Sequence, residues 1–263
     1  MKFSIVVPSF NHATFLSDCL DSIFSQQSNN VSLEVIVMDG GSSDGSVEII
    51  QGYDDRLAYW VSAPDGGQTA ALIEGFSRCT GEVMCWLNSD DLFLPNALEC
   101  VQREICNQDD VDVFYGDARW ITRDGKTIRD QKEIEFDLDI FLWTYNYIPQ
   151  PSTFWRRRIW DKSEKLDSGM ICAMDYDLWL KFISAGARFA HVAHVLAAMR
   201  RYPEQKNQRL RSLSNKEDTQ IRERFLDRRV GFLEKRALGI WNRVRRILLR
   251  LRAGAYFSEK GLG

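Results

Sequence analysis

Two short apolar segments near the start of the chain, 3–7 and 33–38, carry hydrophobic residues on both faces of an extended strand. Strands of this kind are typical of a parallel sheet that is covered on both sides. Between them, hydrophobic residues recur at helical spacing from Phe15 to Phe24, which predicts a helix with one buried face. The start of the chain therefore predicts a strand–helix–strand unit whose loops open at the strand ends, where ligands bind in open α/β sheets.

The same alternation of apolar and polar positions continues along the chain and predicts an α/β first half and a more mixed second half. Segment 83–87 predicts a third buried strand, because it is again apolar on both faces. The further elements predicted from the pattern are helices at 68–79 and 95–106, strands at 111–115 and 118–122, a hairpin turn at 123–126 and a helix from Asp175.

Carboxylates follow two of the predicted strands. Asp39 ends the second strand, and Asp90 with Asp91 follows the third. Adjacent acids at the end of a buried strand repel each other unless a cation lies near them, so we favour a ligand role over simple capping of the next turn. Because the chain has no GxxxxGK phosphate loop, the sequence predicts a divalent metal that neutralises ligand phosphates.

The composition is that of a globular enzyme-sized chain: 263 residues with 44% hydrophobic content can bury a sizeable core. No apolar run approaches the roughly 20 residues that span a bilayer, and the start of the chain leads directly into a predicted strand. We therefore expect a cytoplasmic protein. The six cysteines lie in apolar segments without a CxxC pair, which indicates buried thiols rather than disulfides or zinc ligands.

Positive charge is concentrated near the end of the chain. Between Arg222 and Arg252 there are eleven Arg or Lys residues and three acids, although the net charge of the chain is -3. Apolar residues in this segment recur at helical spacing, which predicts an amphipathic helix. Such a helix can lie on anionic lipid, bind a partner, or cover an apolar face of its own domain and expose its arginines. Nucleic acid is disfavoured, because the acidic remainder of the chain repels phosphate.

Four motifs carry a resemblance to a known family by their order and spacing. They are Ile5–Asn11 (IVVPSFN), Val37–Ser46 (VMDGGSSDGS), Ser62–Gly67 (SAPDGG) and Trp86–Asp91 (WLNSDD). Together they resemble the family 2 glycosyltransferases, which are inverting enzymes of the A-type fold. The resemblance is strong over residues 3 to about 100, fair over 145–207 and absent from the basic tail.

The resemblance implies an A-type glycosyltransferase fold, with a mostly parallel central sheet flanked by helices and a C-terminal amphipathic helical extension. It implies a glycosyltransferase domain over 1–207, in which 1–100 is the nucleotide-binding half and 101–207 the acceptor-side half. Residues 208–263 then form the basic helical extension.

The resemblance also implies roles for individual residues. Asp90 matches the metal ligand for Mg²⁺ or Mn²⁺, with Asp91 in support, although Asn88 stands where the family's DxD motif has its first acid. Asp39 matches the residue that accepts a hydrogen bond from the base, and Asp65 the acid that borders the nucleotide. The nucleotide-binding residues implied in this way are Pro8, Ser9, Phe10, Asn11, Asp39, Asp65, Ser89 and Arg201.

Asp175 matches the catalytic base, although Met174 replaces the Glu of the family's Glu-Asp pair. Capping of the helix that starts there is the alternative role for Asp175. The segment from Arg200 to Tyr202 resembles the one that closes over the diphosphate, but the His that many relatives carry shortly after the Arg is absent.

We expect an inverting transfer of a sugar from a nucleotide-diphosphate donor, a UDP-sugar by resemblance, to a hydroxyl of a glycan or lipid-linked acceptor. Among the three roles open to the basic tail, binding to anionic lipid predicts a peripheral association of this reaction with the inner face of the cell membrane. Two other classes are weighed. A catalytically impaired sugar-nucleotide-binding module is consistent with Met174, whereas a sugar nucleotidyltransferase is disfavoured because residues 8–12 lack a glycine-rich loop followed by basic residues.

Overall fold

A computed structural model describes residues 1–252, apart from the side chains of Asn207 and Gln208. The last part of the predicted extension, 253–263, lies outside the described residues. Within residues 1–252, no helix combines the length and the apolar character that a membrane crossing requires.

Within residues 1–252, nine strands form one sheet at the centre of the molecule. Its strands are β1 (Lys2–Ser9), β2 (Ser32–Asp39), β3 (Tyr59–Ser62), β4 (Val83–Trp86), β5 (Leu92–Phe93), β6 (Val113–Ile121), β7 (Thr127–Gln131), β8 (Thr153–Arg156) and β9 (Phe189–Arg200). The strand order is β3-β2-β1-β4-β8-β6-β9-β5, and β7 pairs with β6. Strands β1 to β4, β6 and β9 run in one direction, and β5, β7 and β8 run against them. The sheet is therefore mostly parallel, as expected.

Helices α1, α3, α4 and α6 pack against this sheet, and the other helices lie around it. They are α1 (Ala13–Phe24), α2 (Ser46–Gln51), α3 (Gln68–Arg78), α4 (Ala97–Asn107), α5 (Leu138–Trp143), α6 (Arg157–Lys162), α7 (Met174–Ser184), α8 (Lys206–Arg209), α9 (Arg211–Leu226) and α10 (Phe232–Arg252). The apolar positions of α1 that recur at helical spacing are buried, which confirms the predicted helix face. Apart from the two strands predicted between 111 and 122, the predicted strands, helices and hairpin of the first 185 residues are confirmed within a few residues at their ends.

The two strands predicted at 111–115 and 118–122 are one continuous strand, β6. The pattern breaks at Gly116 and Asp117, where the pairing register with β9 shifts. A Cβ atom at Gly116 would lie 2.4 Å from Leu196 Cδ1, so only glycine allows the two backbones to approach this closely. Strand β6 pairs with β9 on both sides of this register shift, so it continues as one strand.

An aromatic cluster fixes α7 against the sheet. The ring centroids of Trp86 on β4 and Trp155 on β8 are 5.7 Å apart, and those of Trp155 and Trp179 on α7 are 5.6 Å apart. All three side chains are fully buried. Aromatic pairs of this geometry stabilise by about 0.5–1.5 kcal/mol each beyond their burial. The start of α7, which carries Asp175, is therefore held at a defined distance from the end of β4, which carries the Asn88–Asp91 segment.

Helix α10 packs on α5 with an orientation that its sequence does not predict. Its buried residues are Gly239, Asn242 and Arg246, whereas the apolar side chains on its opposite face are exposed. The alternative in which the apolar face covers the domain and the arginines are solvated is therefore wrong. The polar side of the helix finds charged partners on the body, and these partners come from segments a hundred residues away.

Candidate functional site

A cleft with a volume of about 1230 Å³ opens where β1, β2 and β4 end. Its walls come from parts of the chain that are far apart in sequence. They are the segment Pro8–Phe15, Gly40, the Pro64–Thr69 loop, the Asn88–Asp91 segment, the 146–151 segment and the residues around α7 and α8. The loops that were predicted to form one cleft from their positions at strand ends are thus brought together, because the parallel strands end at one edge of the sheet.

On one side of the cleft, an aromatic ring and a carboxylate meet over a glycine. A Cβ atom at Gly40 would lie 3.2 Å from Phe10 Cδ2 and 3.3 Å from Asp65 Oδ2, so the absence of a side chain lets the ring and the carboxylate approach the backbone closely. Phe10 is 59% exposed although it belongs to the cleft wall. An exposed aromatic ring beside a hydrogen-bond acceptor is suited to stack on a planar base and to accept from its N–H groups.

Pro8, Ser9 and Asn11 stand next to Phe10 in the cleft wall. Asn11 has a left-handed backbone with φ 53°, a conformation that asparagine tolerates better than most residues. Its Oδ1 accepts from Ser43 N at 3.0 Å, and its own N donates to Ser42 Oγ at 2.8 Å. Asn11 therefore ties the loop after β1 to the loop after β2 and fixes the position of Phe10.

Asp39 lies behind the cleft wall and not among the lining residues. It is buried, and its carboxylate accepts hydrogen bonds from Gly41 N, Ser42 N, Ser42 Oγ and Ser62 Oγ at 3.2, 2.8, 2.6 and 2.6 Å. These bonds hold the glycine-containing loop after β2 and join it to the end of β3. A direct contact between Asp39 and a base stays a prediction.

Asp91 accepts a hydrogen bond from the end of strand β9. Arg200 N donates to its Oδ1 at 3.0 Å, and Asn88 Nδ2 donates to its Oδ2 at 3.3 Å. Burial, and then the negative charge of Asp90, raises the pKa of the Asp91 carboxyl well above its ordinary value. The side chain is therefore better suited to hold β9 against the Asn88–Asp91 segment than to carry full negative charge.

Asp90 faces the cleft. Its Oδ2 accepts from Tyr202 OH at 2.8 Å and from Gln205 Nε2 at 3.2 Å. Among the described residues, no hydrogen bond is formed to its Oδ1, so one carboxylate oxygen is available to a cation. The chain from 1 to 252 contains no cluster of three or more His, Cys, Asp or Glu side chains that could enclose a metal. This donor set fits Mg²⁺ or Mn²⁺ held by a single carboxylate together with substrate phosphates, a common arrangement for Mg²⁺.

Of two further residues predicted to bind the nucleotide, Ser89 lines the cleft and Arg201 does not. Ser89 is buried at the cleft wall, and its Oγ lies 2.7 Å from His12 Nδ1, within hydrogen-bonding distance. Arg201 is exposed and is not among the lining residues, whereas Arg200 and Tyr202 are. Arg200 itself is buried and donates to Oδ2 of the exposed Asp18 at 2.8 Å, so its charge is paired with a surface carboxylate.

Asp175 lines the cleft at the second residue of α7. Asn146 Nδ2 donates to its Oδ2 at 2.7 Å, and Asn146 lines the cleft as well. The carboxylate remains partly open to the cleft, but the surrounding protein desolvates it and raises its pKa to about 6. The N-cap residue of α7 is Ala173, so Asp175 does not occupy the capping position. A carboxylate with these properties is suited to accept a proton near neutral pH.

The N-terminus of α7 is held by a residue that the sequence analysis missed. Glu217 on α9 is buried, and its carboxylate accepts from Ile171 N, Cys172 N and Ala173 N at 2.9, 2.8 and 2.8 Å. The three backbone donors lie immediately before Asp175 and its helix. The local pattern around Glu217 is that of a polar helix, and no motif in the sequence connects it with residues 45 positions upstream.

Three further cationic side chains, which the sequence analysis did not predict, also line the cleft. Lys206 Nζ donates to Gln68 Oε1 at 3.0 Å, and Gln68 Nε2 donates to Asn88 Oδ1 at 2.8 Å. Burial lowers the pKa of the Lys206 ammonium below its ordinary value. Arg123 and Arg209 belong to the lining too. These residues follow no glycine-rich phosphate motif, so only the fold assembles them at the cleft.

A mostly parallel sheet with this strand order, flanked by helices and with a cleft at the carboxyl ends of its parallel strands, is the A-type glycosyltransferase fold. The sequence comparison agrees at the level of the family: the family model described as glycosyl transferase family 2 matches residues 4–178. The chain belongs to this family.

The relatives are glycosyltransferases by name. A protein of Rickettsia typhi named an uncharacterized glycosyltransferase is 29% identical over 188 residues, which is 68% of this chain and 58% of the relative. The chondroitin synthase of Pasteurella multocida is 28% identical over 193 residues, 72% of this chain and 19% of that enzyme. The chain thus spans less than two thirds of the length of these relatives.

Solved structures share the fold. The structure of residues 1–349 of S. aureus TarS in complex with UDP-GlcNAc matches 91% of this chain and 70% of its own, with a TM-score of 0.69 and 18% identity. A mannosyltransferase of Pyrobaculum calidifontis in complex with GDP-Man and Mn²⁺ matches 96% of this chain and 75% of its own, with a TM-score of 0.63 and 15% identity. These likenesses establish the fold.

Proposed function

We propose that this protein is an inverting glycosyltransferase that moves a sugar from a nucleotide-diphosphate donor to a hydroxyl of a glycan or lipid-linked acceptor. The observation that carries the proposal is a single cleft, at the carboxyl ends of parallel strands, that is lined by Phe10, Asp65, Asp90 and Asp175. This cleft therefore holds groups suited to a planar base, to a diphosphate and to proton transfer.

Asp175 acts as the general base in this proposal. It accepts the proton of the acceptor hydroxyl while the hydroxyl oxygen forms a bond to the anomeric carbon. The bond from that carbon to the diphosphate breaks at the same time, and its electron pair leaves with the diphosphate. Because the nucleophile arrives from the face opposite the leaving group, a single displacement inverts the anomeric centre. Asn146 holds Asp175 with one oxygen engaged and leaves the other for the incoming hydroxyl.

Charged side chains of the cleft are assigned to the leaving diphosphate. Asp90 would hold a divalent metal, Mg²⁺ or Mn²⁺, which would supply Lewis-acid stabilisation of the charge on the diphosphate. Lys206 and Arg209 on α8 and Arg123 after β6 line the same cleft and add positive charge. Asp91, the predicted second acid, supports Asp90 by fixing the segment to β9 rather than by ligating the metal.

The donor base is bound between the loops after β1, β2 and β3. Phe10 stacks on its face, Pro8, Ser9 and Asn11 shape the wall, and Asp65 accepts from its edge. Asp39 acts through the loop that it holds. A UDP-sugar is the donor we favour, because the four motifs resemble UDP-sugar enzymes. Structures that share the fold hold UDP-GlcNAc and GDP-Man, so the fold by itself leaves both bases open.

We further propose that the protein works in the cytoplasm, as a peripheral protein at the inner face of the cell membrane. The support is the exposed apolar and basic surface of α10. Nucleic acid is not a partner in this proposal.

The test is a panel of UDP- and GDP-sugars incubated with the full chain and Mg²⁺ or Mn²⁺. Donor hydrolysis or transfer that releases the nucleoside diphosphate, together with inverted configuration of the product by NMR, is the expected outcome. Release of pyrophosphate from a sugar phosphate and a nucleoside triphosphate would instead identify a nucleotidyltransferase. Binding of a nucleotide sugar without any turnover would identify the impaired binding module, for which Met174 is the supporting observation.

A further inference from the structure

Helix α10 is amphipathic, but its apolar face is directed away from the protein. Ile240 and Trp241 are 56% and 63% exposed. Their spacing continues along one side of the helix over about 17 Å, at about 1.5 Å per residue. The exposed apolar residues of this side, here called the outer stripe, are Ile240, Trp241, Val244, Ile247, Leu248 and Leu251. A continuous apolar surface of this kind on a soluble chain marks an interaction site.

The side of α10 that faces the protein explains why the helix does not rotate about its axis to bury the outer stripe. Arg246 is buried and forms an ion pair with Glu133 at 2.5 Å, and it also donates to Tyr145 OH. Arg245 pairs with Asp137 at 2.6 Å. A Cβ atom at Gly239 would lie 3.2 Å from Trp143 O, so the helix approaches the end of α5 closely. Rotation of the helix to bury the outer stripe would break both ion pairs and leave a buried carboxylate behind.

Charge determines what covers the outer stripe. Arg236, Arg243 and Arg252 are exposed and flank it, while Glu234 is the only acid in the helix and pairs with Arg228 at 2.6 Å. Two copies that met through this stripe would place their arginines side by side, which disfavours a dimer. Arginines that flank an apolar stripe containing a tryptophan match an anionic lipid surface, where the apolar side chains enter the acyl boundary and the cations meet the headgroups.

We infer that the outer stripe of α10 and its flanking arginines form a docking surface for anionic lipid, and that α10 is held in a fixed orientation for this purpose by the Arg246 and Arg245 ion pairs. The surface connects to the acceptor side of the cleft: Tyr145, the partner of Arg246, is followed directly by Asn146, the partner of Asp175. One part of the inference rests on the proposed function, namely that the lipid surface brings a lipid-linked acceptor to the cleft.

The test is sedimentation of the full chain with vesicles of phosphatidylcholine alone or of equal parts phosphatidylglycerol and phosphatidylcholine, without donor. We expect sedimentation with the anionic vesicles, and its reduction when salt is raised from about 0.1 to about 0.5 M. The double variant Trp241→Ser/Ile247→Ser should bind the anionic vesicles at least about tenfold more weakly. Ile73→Ser, at an exposed isoleucine of α3 outside the cleft, is the matched control and should bind like the parent.

Several outcomes would overturn the inference. The first is absence of vesicle binding by the full chain, and the second is equal vesicle binding by the full chain and the double variant. The third is a dimer that forms as the protein concentration rises and that the double variant does not form. The fourth is vesicle binding that appears only when residues 253–263 are removed. Thermal unfolding and UDP affinity of the double variant are measured alongside and should match the parent. Vesicle binding without sugar transfer would reject the proposed function and not the surface, and transfer without vesicle binding would do the reverse.

Discussion

The carboxyl group of Asp175 is tuned by its surroundings more than by any one neighbour. Desolvation is the largest cause of its raised pKa of about 6, and the charge of Asp218 adds in the same direction, while Asn146 opposes it by donating to the charged form. At neutral pH the group is therefore mostly deprotonated and still basic enough to accept a proton. A carboxylate in open solvent, with a pKa near 4, would be a weaker base.

The substitution Asp175→Asn should abolish this proton transfer and leave binding intact. We expect transfer to fall by a factor on the order of 10² to 10⁴, with unchanged donor affinity by calorimetry. The rate of the parent should rise with pH through about 6 and then level, because the base acts in its deprotonated form. A residual rate in the variant that keeps this pH dependence would show that another group is the base.

Asp175→Asn should lower the transfer rate but raise the stability of the folded protein. Since the pKa is higher in the folded protein than in the unfolded chain, folding favours the protonated form, and stability decreases as the pH rises from about 4 to about 6. Asp175→Asn removes this cost and should raise the free energy of unfolding at pH 7 by about 1–3 kcal/mol. Urea unfolding at pH 4 and pH 7 measures it: the two proteins should differ at pH 7 and converge at pH 4.

Asp90 offers the second prediction at the level of single residues. Asp90→Asn should remove the effect of Mg²⁺ or Mn²⁺ on UDP affinity in a calorimetric titration, because a neutral amide is a poor ligand for these ions. Tyr202→Phe is the control, since it removes a hydrogen bond to Asp90 and keeps the carboxylate. The metal effect should persist in that variant. Metal-dependent affinity that is unchanged in Asp90→Asn would exclude Asp90 from the site.

At the scale of elements, the orientation of α7 depends on a contact with α9. Glu217 accepts three backbone N–H groups just before Asp175, and Arg224 on the same helix pairs with Asp177. A carboxylate at the N-terminus of a helix is favoured by the helix dipole as well as by its hydrogen bonds. Helix α9 therefore holds the chain both before and after Asp175, through Glu217 and Arg224 respectively.

We predict that Glu217→Gln weakens this contact, because the amide group offers only one acceptor oxygen. The turnover rate should fall several-fold while KM for the donor stays within about twofold, and the free energy of unfolding should fall by about 1–3 kcal/mol. Glu223→Gln on the same helix is the matched control, because the Glu223 carboxylate accepts from Val230 N, after α9, rather than from the backbone donors 171–173. A loss of stability without a change in turnover would assign Glu217 a purely structural role.

At the scale of the whole molecule, α10 is joined to the body through a buried ion pair. Arg246→Ala leaves Glu133 buried without its cation, and the loss of one partner of such a pair costs about 3–5 kcal/mol. Arg243→Ala, at an exposed position of the same helix, should change stability by less than about 0.5 kcal/mol. Urea unfolding of both variants measures the difference. Equal stabilities would mean that the pair contributes nothing to the attachment of α10.

The sequence by itself determined the framework of the molecule. Apolar segments such as 3–7 and 33–38 have few ways to be buried, so the strand and helix periods indicate the α/β fold and place the loops of Phe10 and Asp90 at one edge. The four motifs added the family, because their spacing depends on that framework. These are local signals, and local burial and turn chemistry are what a sequence pattern encodes.

Only the tertiary structure decided how the polar side chains are used. Asp39 has its carboxylate turned to its own loop, Lys206 reaches the cleft, Glu217 holds the start of α7, and Arg246 turns α10 so that its apolar side faces outward. The physical reason is that a polar group is satisfied by whichever partner the folded chain brings within hydrogen-bonding distance. Such partners lie as far as a hundred residues away, and no periodic pattern records them.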